Sequence, residues 1–126
     1  MTTILLVNDD PMQASLMLST LERRFGEVRR VSDAAEALCL IEQPDFARTL
    51  GLVISWHQAT GIGGPAFVAE LRARMPHLPI LVLGTGDAAP AEYPNDDVAF
   101  LPKAFATESL LTLTGQMLAH AKPGVA

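Results

Sequence analysis

Residues 4–11 read ILLVNDDP, an apolar run that leads directly into three polar residues and a proline. Four consecutive apolar residues are typical of a strand that is covered on both faces of a parallel sheet. Asp10 followed by Pro11 indicates a helix start, because an aspartate side chain caps a helix and proline suits its first position. The stretch therefore predicts a buried strand, an acidic loop and a helix, in that order.

The same alternation of strand and helix patterns continues along the chain, which favours an α/β fold around a parallel sheet. Gly26 ends the first helix, Asp33 caps the second and Pro44 marks its limit. The glycines and prolines between residues 84 and 97 predict a shortened or irregular fourth helix, or none. The predicted strands cover residues 4–7, 28–31, 52–55, 79–83 and 98–101, and the predicted helices cover residues 12–24, 34–42, 65–75 and 107–121.

The composition limits the classes of function. The chain has 126 residues, of which 49% are apolar, so we predict a single domain over residues 1–121, with residues 122–126 as a frayed tail or the start of a linker. A formal net charge of -5, with both signs interspersed, argues against nucleic acid or an anionic membrane as a partner. No apolar run approaches the roughly 20 residues of a spanning helix. No secretory signal is visible, so we expect a cytoplasmic protein.

Cys39, the only cysteine, is predicted to pack in the core.

The candidate site lies just beyond the strands, because ligands bind outside the carboxyl ends of the strands of an open parallel sheet. Its residues are Asn8, Asp9 and Asp10 after the first strand, Ser55 and Trp56 at the third, Gly84 and Thr85 at the fourth, and Lys103 after the fifth. Carboxylates and a lysine at this edge suit phosphoryl chemistry, but a nucleophile to accept the phosphoryl group is missing.

With these motifs in this order, the chain resembles the receiver domains of bacterial two-component response regulators over essentially its whole length. The resemblance implies a three-layer, flavodoxin-like fold with a doubly wound, five-stranded parallel sheet of strand order 2-1-3-4-5. In that family an acidic pair binds magnesium, and an aspartate at the end of the third strand takes a phosphoryl group from a histidine kinase.

The resemblance also implies where the functional positions of the family fall in this chain. The acidic pair falls on Asn8 and Asp9, the acceptor on Trp56, the fourth-strand hydroxyl on Gly84 or, with a one-residue slip, Thr85, the switch aromatic on Phe100 and the lysine on Lys103.

The acceptor position departs from the family pattern. An indole at Trp56 has no lone pair with which to attack phosphorus, and phosphoryl transfer to a receiver needs a carboxylate nucleophile there. An alternative register places Ser55 at this position, but a serine without a nearby base is a poor nucleophile. Both registers predict that the chain has no phosphoacceptor or catalytic residue and is not an enzyme.

The predicted magnesium site also departs from the family pattern. Asn8 and Trp56 each remove a negative charge from the cluster that would hold magnesium, and magnesium prefers hard anionic oxygens. We therefore expect weak or absent Mg²⁺ binding, with Asp9 as a weak candidate ligand, and no other cofactor. Lys103 is predicted to pair with Asp9, and Asp10 to be occupied as the helix cap.

These features favour an atypical receiver, a pseudo-receiver that acts by protein–protein interaction and independently of phosphorylation. The expected partners are a histidine kinase, another regulator or a second copy of the chain. Two alternatives stay open. The vacated pocket could sense a small molecule, or a displaced residue, Asp9 or Asp10, could take the phosphoryl group.

Overall fold

The structure is a computed structural model that describes residues 2–56, 64–84, 98–102 and 107–120. Strands and helices follow one another through these ranges largely as the sequence pattern predicts, with one additional short helix. The elements are β1 (Thr3–Val7), α1 (Pro11–Phe25), β2 (Val28–Val31), α2 (Ala34–Ile41), α3 (Pro44–Thr49), β3 (Leu50–Trp56), α4 (Gly64–Arg74), β4 (Ile80–Gly84), β5 (Val98–Pro102) and α5 (Thr107–His120).

The strands form one five-stranded sheet in the order β2-β1-β3-β4-β5. Every neighbouring pair is parallel, including β1 with both β2 and β3. The chain moves outward from β1 to β2 and then returns past β1 to β3, so the order of the strands reverses beside β1. This topology confirms the predicted doubly wound fold, and it places the topological switch point at the carboxyl ends of β1 and β3.

Helices cover both faces of the sheet and give it three layers. Successive residues of a strand point to opposite faces, so Leu5 and Val7 join one core cluster while Ile4 and Leu6 join the other. The cluster of Leu5 includes buried residues of α2 and α4, and the cluster of Ile4 includes buried residues of α1 and α5. All five residues of β1 and of β4 are buried, as is expected for central strands of a covered sheet.

The predicted caps of the first two helices are confirmed. The Asp10 side chain accepts hydrogen bonds from the backbone N–H groups of Met12 and Gln13, and Asp33 caps α2 through the N–H of Glu36. Gly26 ends α1 with a φ of 92°, a left-handed conformation that favours glycine.

One local prediction was wrong and another was incomplete. The second helix ends at Ile41, before Pro44, as predicted, but Pro44 also begins the additional short helix α3, which was not predicted. Proline interrupts a preceding helix but suits the first position of a new one, so the same residue serves both ends. Cys39 is exposed and not in the core, because α2 buries Ala34, Ala37 and Ile41 on its other side.

Other predictions lie outside the described residues. They are the shape of the chain between β4 and β5, where a shortened or irregular fourth helix was expected, and the tail at residues 122–126. Within the described ranges, no helix is long and apolar enough to cross a membrane.

Candidate functional site

The carboxyl ends of β1 and β3 lie side by side. Val7, the last residue of β1, pairs with Ser55, and Trp56 follows Ser55 as the last residue of β3 and pairs with Leu83 of β4. Residues 8–10, here named the acidic loop, leave β1 at this point and enter α1. The topology therefore brings the acidic loop to the edge of the sheet where β3 ends.

Asn8 is a buried part of the acidic loop, with 1% of its surface exposed. Its Oδ1 accepts a hydrogen bond of 2.8 Å from the backbone N–H of Asp10. Its Nδ2 lies 3.5 Å from Oε1 of Gln13 and 4.0 Å from Sδ of Met17, both on α1. The side-chain oxygen of Asn8 is thus engaged within the loop, and the amide nitrogen faces the first turns of α1.

The two acidic residues of the loop have different environments. Oδ1 of Asp10 accepts hydrogen bonds from the backbone N–H groups of Met12 at 3.0 Å and Gln13 at 3.2 Å, which confirms its predicted use as a helix cap. Asp9 is exposed. In the part of the chain that the structure describes, no group of three or more His, Cys, Asp or Glu side chains could hold a metal ion.

Arg30 on β2 contacts the acidic loop, and this contact was not predicted from the sequence. Its Nε and Nη2 donate to the backbone carbonyl oxygen of Asn8 at 3.1 and 2.8 Å. The backbone N–H of Asn8 in turn donates to the carbonyl oxygen of Val31 at 3.1 Å. The sequence feature that could have indicated this contact is an arginine inside a predicted strand, because a partly buried charge needs a hydrogen-bond partner.

The remaining predicted site residues lie on three further strands. Ser55 is 2% exposed and pairs with Val82 of β4 as well as with β1. Gly84 is the buried last residue of β4. Phe100 pairs with Val82 and packs, partly buried, against the core cluster of Leu5.

The acidic loop, Ser55, Trp56 and Gly84 therefore share one end of the sheet. Thr85 and Lys103 lie outside the described residues, as does the predicted ion pair of Lys103 with Asp9.

Comparison with known proteins agrees with this geometry. No protein-family model matches the chain. The response regulator protein FleR of Pseudomonas aeruginosa is 30% identical over 124 residues, which cover 96% of this chain and 25% of FleR. The chain therefore spans about a quarter of the length of that curated relative.

Solved receiver structures superpose on almost the whole chain. A response regulator receiver protein from Sinorhizobium medicae has a TM-score of 0.83 at 24% identity, with 96% of this chain and 97% of that chain covered. The chemotaxis response regulator CheY4 of Vibrio cholerae has a TM-score of 0.79 at 25% identity, with coverage of 93% and 98%. The chain is thus similar in sequence to a response regulator, and its fold is that of solved response regulator receiver structures.

Proposed function

We propose that the chain is an atypical receiver that takes part in two-component signalling by contact with another protein and is not switched by phosphorylation. The observation that carries the proposal is the residue at the end of β3. Trp56 continues this strand in register with Leu83, beside the acidic loop, at the position where the family has its phosphoacceptor.

The nucleophile is the first requirement that these residues do not meet. Phosphoryl transfer needs a positioned attacking oxygen, and an indole supplies none. In the alternative register the candidate is Ser55, which is 2% exposed and lies within the ladder between Val7 and Val82. A buried strand serine is badly placed to reach a phosphodonor, so both registers favour a receiver without an acyl phosphate.

The metal is the second requirement. Magnesium stabilises the charge on the transferring oxygens and is held by carboxylates. Asn8 is neutral and its Oδ1 is engaged by the N–H of Asp10, while Oδ1 of Asp10 caps α1. Asp9 is then the carboxylate of the acidic loop that does not cap the helix. We infer that Mg²⁺ binds weakly here.

Contact with a protein partner is supported by the exposed face of α1. Met12 and Leu16 lie one helical turn apart and are 76% and 67% exposed. Burying a large apolar side chain contributes about 1.5–3 kcal/mol, so two such residues on one face favour association. A histidine kinase or another regulator is the partner class that the receiver family suggests, and a second copy of the chain is the other candidate.

The direct test of the missing reaction is incubation of the protein with acetyl phosphate and Mg²⁺, followed by intact mass measurement. We expect no adduct. The double variant Asn8→Asp, Trp56→Asp places aspartate at both family positions. It provides the positive control for phosphorylation in this assay. A stoichiometric, acid-stable and base-labile adduct on the unaltered protein would refute the proposal, and mapping it to Asp9 or Asp10 would establish a displaced acceptor.

The contact surface is tested by affinity capture with the purified protein and with a Met12→Ser, Leu16→Ser double variant. Both side chains are exposed, so the variant should fold normally, which circular dichroism checks. We expect the captured histidine kinase or regulator to be lost with the double variant and kept with Ser15→Ala, an exposed control on the same helix. Equal capture by all three proteins would show that this face is not the contact surface.

A further inference from the structure

We propose that Arg30 is a built-in cation of the acidic loop, which holds the loop in place from β2 and opposes the binding of a divalent cation at Asp9. The inference rests on the proposed function, because it concerns the same loop and its low affinity for Mg²⁺. It adds a specific residue and a mechanism to that function.

The hydrogen bonds show how Arg30 holds the loop. The guanidinium reaches the Asn8 carbonyl oxygen with two donors, Nε at 3.1 Å and Nη2 at 2.8 Å. Hydrogen bonds from a charged donor are roughly twice as strong as neutral ones. The N–H of Asn8 is bonded to Val31, so adjacent residues of β2 hold both backbone polar groups of Asn8. The backbone at the start of the loop is thereby tied to the sheet without any metal ligand.

The position of the charge follows from covalent geometry. The carbonyl oxygen that Arg30 binds belongs to the peptide bond between Asn8 and Asp9. Standard bond lengths then place the guanidinium within about 8 Å of the Asp9 carboxylate. A divalent cation at Asp9 would meet this fixed positive charge, and Coulomb repulsion over about 8 Å in water weakens binding roughly fivefold.

Arg29 offers a matched control for this charge. It is the preceding residue of β2, it is exposed, and successive strand residues point to opposite faces of the sheet. Arg29→Gln and Arg30→Gln change the net charge of the protein equally. A difference in Mg²⁺ affinity between the two variants therefore reports the position of the lost charge and not the change in net charge.

The experiment is a Mg²⁺ titration at low ionic strength, followed through the amide NMR signals of Asp9 and Asp10. We expect Arg30→Gln to bind Mg²⁺ about fivefold more tightly than the unaltered protein, and Arg29→Gln to gain clearly less, because the repulsion falls as the distance from the cation grows. Hydrogen exchange at the Asp10 amide should be faster in Arg30→Gln, with exchange in β1 unchanged, because the loop that positions this amide loses its two hydrogen bonds to Arg30.

Arg30→Lys separates the two roles of the side chain and guards against a folding defect. Lysine keeps the charge but cannot place two donors in a fixed fork, so Mg²⁺ affinity should stay low while exchange at the Asp10 amide accelerates. Equal Mg²⁺ affinities of the Arg29→Gln and Arg30→Gln variants would overturn the inference. Tight Mg²⁺ binding by the unaltered protein would instead count against the proposed function, so the two failures are distinguishable.

Discussion

Replacing Thr114 with valine should stabilise the protein by about 1 kcal/mol. Thr114 lies on α5, has none of its surface exposed, and shares a face of the helix with the buried Leu110. Its Oγ1 is buried with no hydrogen-bond partner among the residues that the structure describes. The folded state therefore removes this hydroxyl from water without compensation.

The magnitude follows from the terms that change in Thr114→Val. A buried polar group without a partner costs about 1–3 kcal/mol. Valine has nearly the same shape and nearly the same helix propensity as threonine, so the packing and helix terms almost cancel. We take the lower end of the range, about 1 kcal/mol, which corresponds to a rise of about 3–6 °C in Tm for a domain of this size.

The assay is urea unfolding followed by circular dichroism. We expect a higher transition midpoint with an unchanged slope, which indicates a change in stability and not in the surface exposed on unfolding. Thr112→Val is the matched control, because Thr112 is exposed on the same helix and its replacement should change stability by less than about 0.5 kcal/mol. A loss of about 1 kcal/mol or more in Thr114→Val would mean that the hydroxyl is hydrogen-bonded in the folded protein, and our reasoning would be wrong.

Three further substitutions test the packing around α1 by the same urea measurement. Leu21→Ala should lower the free energy of unfolding by about 2–5 kcal/mol, because Leu21 is fully buried in the core between α1 and the sheet; a loss below about 1 kcal/mol would contradict this placement. Gly26→Ala should cost about 1–2 kcal/mol, because the φ of 92° is unfavourable for a residue with a Cβ; no loss would show that the turn relaxes. Gly115→Ala should gain about 0.5–1 kcal/mol, because glycine weakens a helix and the new Cβ would lie at an ordinary 3.8 Å from the Phe25 ring; a loss would indicate closer packing.

The helices and strands could be predicted where the sequence signal is local. Asp10 and Asp33 identify helix starts because a cap bonds to N–H groups two or three residues away. The strands could be predicted because covered parallel strands are apolar at nearly every position. The short helix α3 was not predicted, because a local rule for proline permits both the end of one helix and the start of another at Pro44.

The candidate site was predicted only in part. The sequence placed Asn8 and Trp56 at the ends of two strands, and the topology of parallel strands brings those ends together. The orientation of the Asn8 amide toward α1 was not predictable, because Gln13 and Met17 become neighbours of this amide only after α1 has packed on the sheet.

The order of apolar and polar residues along this chain was sufficient to specify an α/β fold with an acidic loop and a tryptophan at one end of the sheet. Periodicity, caps and turns act over a few residues, so the linear order contains them. The contact of Arg30 with Asn8 joins residues 22 positions apart, and the burial of the Thr114 hydroxyl depends on the side chains that pack around α5. Such features arise only when the sheet and helices assemble, because burial and long-range hydrogen bonds are properties of the packed chain.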